Sequence, residues 1–338
     1  MAATSTAPAV ALVGATGAAG STVLRVLEDR AFPLRELRVL ASPRSQGTPV
    51  RFRGQELRIA AADEAALEGC DIVFFAAGSA TSRELAPLVA AAGGVAVDKS
   101  SFFRMDPNVP LVVPEVNGEL VREHRGIIAN PNCVAIPLSV ALAPLHRAFG
   151  LRHLTVATYQ AASGAGRGLR EELEAQVRDD AAGRAPEPHT YPHVLHGNVV
   201  PGGWRMCGDD TEEEVKVIQE VRRLLEISEL RVGITTVRVP VAVGHSMAVW
   251  ADFDAEPPAG EARHILEGAA GVRVVDEAAS QTYPTPRAVA GMDEVHVGRI
   301  RRDPSRENGL ALWVVADNLR KGAATNAVQV AELVLEYR

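Results

Sequence analysis

Short apolar runs alternate with amphipathic stretches through the first part of the chain. Ala9-Val10-Ala11-Leu12-Val13 is too brief for a buried helix and ends at a glycine, so it predicts a strand. The turn Gly14-Ala15-Thr16-Gly17-Ala18-Ala19-Gly20 follows, and then helical spacing at Val23, Leu24, Val26 and Leu27. Residues 37–41, 71–76 and 95–98 predict further strands, with a helix near 80–92. The runs 112–117 and 126–129 extend the series. Strands that alternate with helices predict βαβ units and a parallel sheet.

The pattern then changes. An apolar, helix-like run covers 134–149, and a strand covers 154–160. A second glycine-rich turn, 161–168, leads into a helix over 169–179. Residues 181–209 read as irregular. Thr211 opens an amphipathic helix, with Glu214 completing a capping box. Strands are expected at 232–240, 248–253 and 310–316, and a closing helix at about 323–337 with Ala327, Val330, Leu333 and Val334 on one side. The expected fold is α/β: a Rossmann-type dinucleotide-binding domain over 1–130 plus 318–338, and a second α+β domain over 131–317.

Length and composition narrow the class. A chain of 338 residues, 47% hydrophobic and 23% charged, suits a two-domain globular enzyme. The net charge of −7, with both signs mixed throughout, points to neither nucleic acid nor an anionic membrane surface as partner. No basic-then-apolar leader opens the chain, and no apolar run reaches membrane-spanning length. Cys70, Cys133 and Cys207 lie far apart and form neither a disulfide framework nor a zinc pattern. The expected setting is reducing and cytoplasmic. His189, His193 and His196 have helix-face spacing, but Pro188 and Pro192 oppose a helix and no other ligand completes the set, so no metal is expected.

Strand, glycine-rich turn and helix form the context of a dinucleotide fingerprint. Gly14 permits the tight turn, Gly17 the approach of a pyrophosphate to a helix N-terminus, and Gly20 close packing of the helix. After the second strand Ser42, Arg44 and Ser45 appear where an NAD site would place a carboxylate, so a 2′-phosphate and hence NADP is favoured. Ala77 and Gly78 end a strand where a cofactor would lie. Arg104 falls near the carboxyl edge of the sheet, where ligands bind.

Asn130-Pro131-Asn132-Cys133 delivers a cysteine to the start of a helix, with Asn132 as its N-cap. Helix-dipole and unpaired N–H groups favour thiolate there, which makes Cys133 a candidate nucleophile; a buried, inert cysteine is the alternative. Gln160 ends its strand, and Arg238 lies on another. His245, beside Gly244, reads as either a catalytic base or a satisfied core histidine. The dipole explains Glu212 and Glu214, whereas Glu213 and Lys216, one turn apart, can both meet a ligand.

Together these segments resemble the aspartate-semialdehyde dehydrogenases over nearly the whole chain. The matching motifs are GATGAAG (14–20), SPRSQG (42–47), KSSFFRMD (99–106), VPEVN (113–117) and NPNC (130–133). TYQAASGAGRG (158–168), EEEVK (212–216), RVPVAVGHS (238–246), YPTP (283–286) and DNLRKGAATN (317–326) follow in the family's order. The resemblance implies Cys133 as nucleophile, Gln160 as its orienting partner and His245 as acid/base. It implies Arg238 on the substrate α-carboxylate, Glu213 on the α-amino group, and Arg104, Asn132 and Lys216 on phosphate. It further implies NADP contacts at Gly14, Thr16, Gly17, Ala18, Ala19, Ser42, Arg44, Ser45, Ala77, Gly78, Ser163, Gly164 and Asn318. The implied activity is reductive dephosphorylation of L-4-aspartyl phosphate to L-aspartate 4-semialdehyde, in the aspartate pathway to Lys, Met, Thr, Ile and diaminopimelate. The implied assembly is a homodimer or a dimer of dimers, with catalysis and dimerisation in the second domain.

Two departures stand out. Val134-Ala135 follows the cysteine where the family commonly has small hydroxylated residues, and 191–210 carries an unfamiliar stretch ending HVLHGNVVPGGWRMCGDD. They leave room for a specialised-pathway paralogue. The other readings are an N-acylglutamyl-phosphate-type reductase and a catalytically silent NADP-binding regulator.

Overall fold

The computed structural model describes residues 7–337; Met1 to Thr6, within the stretch read for a leader, and Arg338 lie outside it. The contacts divide the chain into two compact units, one running to Pro131 and resuming at Ala323, the other Asn132–Gly322. Residues 318–322, expected with the first domain, belong with the second. Asn318 explains the difference, because its side chain bonds Ser163 and Gly244 of that unit.

The first unit is built on a six-stranded, all-parallel sheet. Its strands are β1 (Ala9–Val13), β2 (Glu36–Ala41), β3 (Ala60–Ala61), β4 (Ile72–Phe75), β5 (Val95–Asp98) and β6 (Ile127–Ala129). Their order is β3-β2-β1-β4-β5-β6, so the chain reverses direction across the sheet between β1 and β4. That is the switch point at which doubly wound sheets bind ligands beyond the strands' carboxyl ends. Strands buried on both faces need near-continuous apolar runs, and β1 and β4 are buried throughout. Helices α1 (Ala18–Asp29) and α2 (Ser79–Ala91) supply crossovers. Within the run 112–117, Pro114 starts a helical turn over Pro114–Asn117, and Asn117 Oδ1 accepts the Val113 amide at 2.9 Å. Proline at the first helical position loses no intrahelical bond, which is why an apolar run turns there.

The second unit holds a mixed six-stranded sheet. Its strands are β7 (Leu151–Gln160), β8 (Arg231–Arg238), β9 (His245–Phe253), β10 (Val272–Val274), β11 (Val295–Arg302) and β12 (Gly309–Ala316), in the order β8-β7-β9-β12-β11-β10. Helices α3 (Ala135–Phe149), α5 (Glu212–Leu224) and α6 (Ala259–Glu267) pack together against it, and α4 (Arg167–Ala181) follows the second glycine-rich turn. The strands alternate buried residues with half-buried ones, the latter including Tyr159, Ala248, Trp250 and Trp313. Cross-strand pairing puts these four on one face, with the Tyr159 and Trp313 rings 5.5 Å apart. A π-helical turn, Arg320–Ala324, precedes the closing helix α7 (Thr325–Glu336), which packs in the first unit. No helix among the described residues is long and apolar enough to cross a membrane.

Candidate active site

Cys133 sits, half-buried, two residues before α3. Asn132 organises the turn that carries it. Its Oδ1 accepts the amides of Val134 (2.7 Å) and Ala135 (3.4 Å), and its carbonyl accepts Ile136 N–H at 3.0 Å. The N-cap position expected at Asn132 falls instead at Val134, directly before α3, while the Asn132 side chain still receives the amides of Val134 and Ala135. Gly322 lies so near that a β-carbon there would stand 3.3 Å from Cβ of Cys133.

Helix α5 grips this turn with two buried carboxylates. Glu213 Oε1 accepts Asn132 Nδ2 at 3.0 Å and Gln160 Nε2 at 3.3 Å. Glu220 Oε2 accepts the backbone amide of Asn132 at 2.5 Å. Glu213 therefore joins the residue before the cysteine to Gln160, through one of its two oxygens. Lys216 pairs with Glu212. The capping box is present, and Glu214 does more than answer the dipole: it accepts the Thr236 amide at 2.8 Å, tying α5 to β8.

Arg238 and His245 converge on Ala161. Arg238 Nη1 donates to its carbonyl at 2.7 Å, and its amide donates to His245 Nδ1 at 3.0 Å. An imidazole that accepts at Nδ1 carries its hydrogen on Nε2. Burial, the nearby Arg238 guanidinium and, in the opposite sense, the Gly244 carbonyl act on His245; the net effect holds it well below the usual imidazole range. It is therefore neutral, fully buried, and its Nε2 meets no hydrogen-bond partner among the described residues. Arg238 Nε is likewise unpartnered. A buried N–H without a protein partner is satisfied by a ligand or by an ordered water. Gly164 makes room: a β-carbon there would stand 2.8 Å from Arg238 Nη1 and 3.0 Å from His245 Nε2. Ser163 Oγ donates to Asn318 Oδ1 (3.1 Å), which also accepts the Gly244 amide (2.9 Å).

In the first unit the residues at the switch point suit a dinucleotide. Gly14 has φ +91°, and a β-carbon on it would strike Ala76 O at 2.7 Å. The turn after β1 thus lies on the residues that lead to Ala77 and Gly78. Gly20 is required by the turn itself, since its β-carbon would meet Gly14 O at 2.1 Å. Gly17 and Gly78 flank the first residues of α1 and α2, and neither helix has a side-chain cap or an acidic residue in its first turn. Such N-termini attract phosphate. Ser42, Arg44 and Ser45 flank or form a short 3-10 turn, Pro43–Ser45, with Ser42 and Arg44 exposed. Arg104 is buried and donates to the carbonyls of Asn130 (3.0 Å) and Lys99 (2.7 Å).

Three features of the second unit escape a reading of the sequence: Glu220, Tyr191 and Trp204. Glu220 has a signal, since it falls on the helix face that also buries Val217, Val221 and Leu224. The two aromatic residues have none, because they lie in a segment without periodicity. Arg238 Cζ is 4.5 Å from the Trp204 ring and 6.0 Å from that of Tyr191.

Two family models match the chain: "Semialdehyde dehydrogenase, NAD binding domain" over 9–124 and "Semialdehyde dehydrogenase, dimerisation domain" over 142–321. The chain is 46% identical to the aspartate-semialdehyde dehydrogenase of Synechocystis, covering 97% of each, and 46% identical to that of Aquifex aeolicus, covering 97% of this chain and 98% of the relative. A crystal structure of aspartate semialdehyde dehydrogenase II from Vibrio cholerae complexed with ASA superposes with a TM-score of 0.95 at 42% identity, covering 98% of this chain and 99% of that one.

Proposed function

The chain belongs to the aspartate-semialdehyde dehydrogenase family, and from that membership we propose that it reduces L-4-aspartyl phosphate to L-aspartate 4-semialdehyde with NADPH, releasing phosphate. The observation that carries the reading is the pair of buried, unpartnered N–H groups, Arg238 Nε and His245 Nε2, gathered at Ala161. The first suits a carboxylate and the second an oxygen that gains charge.

In the proposed first step the Cys133 sulfur attacks the acyl carbon as the thiolate that a helix start favours. A C–S bond forms, the bond from carbon to the phosphate oxygen breaks, and phosphate leaves with the electron pair, giving a thioester. The carbonyl oxygen carries negative charge on the way, and His245 Nε2–H is the donor offered to it. The dinucleotide, when bound, would supply the hydride that reduces the thioester carbon. The sulfur then departs with its electron pair, so Cys133 is regenerated without a net proton on the imidazole. Gln160 orients the Cys133 nucleophile, and Arg238 holds the α-carboxylate through its open edge. Glu213 receives the α-ammonium on the oxygen not engaged by Asn132 and Gln160. Arg104, Asn132 and Lys216 serve the phosphate.

The glycine turn at β1 and the two helix starts without side-chain caps fit a dinucleotide, and they support Gly14, Thr16, Gly17, Ala18, Ala19, Ala77 and Gly78 as its contacts. Ser42, Arg44 and Ser45 would take the 2′-phosphate, and Ser163, Gly164 and Asn318 the nicotinamide end. The second unit carries catalysis and pairs two chains into a homodimer, alone or as half of a dimer of dimers; the half-buried sheet face with Tyr159, Trp250 and Trp313 supports this. The enzyme works in the cytoplasm, at the aspartate pathway's branch toward Lys, Met, Thr, Ile and diaminopimelate.

The test is the reverse reaction. L-aspartate 4-semialdehyde, phosphate and NADP should give NADPH at a rate that depends on phosphate, with NAD a poor substitute. Preference for an N-acylglutamate semialdehyde, whose blocked amine has no use for Glu213, would refute the substrate assignment.

A further inference from the structure

Residues 184–199 form neither helix nor strand, yet α4 ties them down. The buried Glu172 carboxylate accepts the amides of His189 (3.0 Å) and Thr190, and these bonds outweigh burial in keeping it below the usual carboxylate range. Gln176 Oε1 accepts Leu195 and His196 N–H, both at 3.0 Å. Val200 exchanges both backbone hydrogen bonds with Arg238 itself, at 2.8 and 2.9 Å. The Tyr191 hydroxyl donates to the Gly202 carbonyl.

What this anchoring delivers is Trp204. Its ring stands 4.5 Å from the Arg238 guanidinium carbon, with Tyr191 at 6.0 Å. Arg238 is 2% exposed, tied at Nη1 to Ala161 and unpartnered at Nε. Bonds to the Ala161 carbonyl and the Tyr191 hydroxyl restrain the guanidinium but leave it some freedom to turn. A ring against it removes that freedom, and indole is the best side chain for the purpose.

We propose that Trp204 is a positioning residue for substrate binding: it holds the Arg238 guanidinium so that the Nε edge faces the substrate α-carboxylate. The inference rests on the proposed reading of Arg238 as the carboxylate anchor. It also gives the unfamiliar 191–210 stretch a task, which is to bring an aromatic wall to a residue on β8. A ring is needed for its face as well as its bulk. Phe should therefore serve in part, whereas Leu, apolar and of useful volume, should not.

The test compares Trp204→Phe and Trp204→Leu in the reverse assay, with separate KM values for L-aspartate 4-semialdehyde, phosphate and NADP. Trp204→Leu should raise the semialdehyde KM by about tenfold or more, the effect of losing a sheltered cation–π contact. Its kcat and NADP KM should stay near the parent values, and Trp204→Phe should recover most of the loss. Equal semialdehyde KM values for the two variants would overturn the proposal, as would a fall confined to kcat. Should Trp204→Leu not fold, a parent-like KM in Trp204→Phe supports the proposal and a KM raised tenfold overturns it. A wild-type enzyme without phosphate-dependent turnover of the semialdehyde would instead sink the functional reading, and this inference with it.

Discussion

Gly164→Ala measures how closely the groups around Ala161 are fitted. The added methyl would stand 2.8 Å from Arg238 Nη1 and 3.0 Å from both Cε1 and Nε2 of His245. Optimal heavy-atom separations are about 3.5–4.0 Å, so the neighbours would have to retreat by roughly half an ångström or more. An exposed arginine would swing aside at little cost. This one is bonded to Ala161 and faced by Trp204, and the imidazole is held by the Ala161 amide. Overpacking a filled site costs about 1–3 kcal/mol. For a chain of this size that lowers Tm by roughly 1–4 °C. Displacement of reacting groups on the ångström scale costs about 100-fold in rate, so kcat/KM for the semialdehyde should fall to that extent. Gly168→Ala is the control, since its methyl would lie 3.5 Å from Thr190 Cγ2, an ordinary contact, inside α4. It should be neutral or stabilising by about 0.5–1 kcal/mol. The assay is phosphate-dependent NADPH formation, with thermal unfolding measured alongside. A Gly164→Ala enzyme with parent kcat/KM would refute the claim that Arg238 and His245 act from these positions.

Further outcomes follow from the same geometry. Cys133→Ser should abolish turnover while NADPH binding survives; measurable full activity would remove the nucleophile. Arg238→Lys should raise the semialdehyde KM strongly, because lysine cannot form the two-pronged contact; an unchanged KM would argue against that role. Glu220→Ala leaves the buried Asn132 amide without this acceptor, a loss of about 1–3 kcal/mol. It should lower both Tm and kcat, and Glu220→Gln, which keeps an acceptor oxygen, should restore much of each. His245, His146 and His296 are all held below their usual value, first by burial. Below about pH 6.5 the unfolded chain takes up protons that the folded one refuses, so stability should fall as pH drops through that point, before any carboxylate titrates. Thermal unfolding against pH would show it, and His245→Gln should flatten the slope; a flat parent curve between pH 6.5 and 5 contradicts the assignment.

Much of the fold is legible along the chain because its signals are local. A strand ending at Gly14, a capping box at Thr211 and an asparagine before a helix need only neighbours a few residues away. Within 112–117 the apolar pattern alone does not choose between strand and helix, and Pro114 at a first helical position decides it. The sequence suggests close helix packing as the role of Gly20, whereas in the fold it lies against the carbonyl of Gly14, a contact set by the shape of the turn. Individual site residues stood out by type, but their wiring did not. That Glu213 joins Asn132 to Gln160, or that Trp204 reaches Arg238, depends on contacts separated by dozens of residues and by no repeating period.

Ala161 is the feature with the widest consequence. Its own side chain does nothing notable, yet an imidazole from one strand and a guanidinium from another take their bearings from its main chain. Its methyl is fully buried, so a larger side chain would have to displace its neighbours, and both attachments would move with the main chain. A shift of the chain just after β7 would therefore disturb the imidazole and the guanidinium together, whatever the residues at 238 and 245.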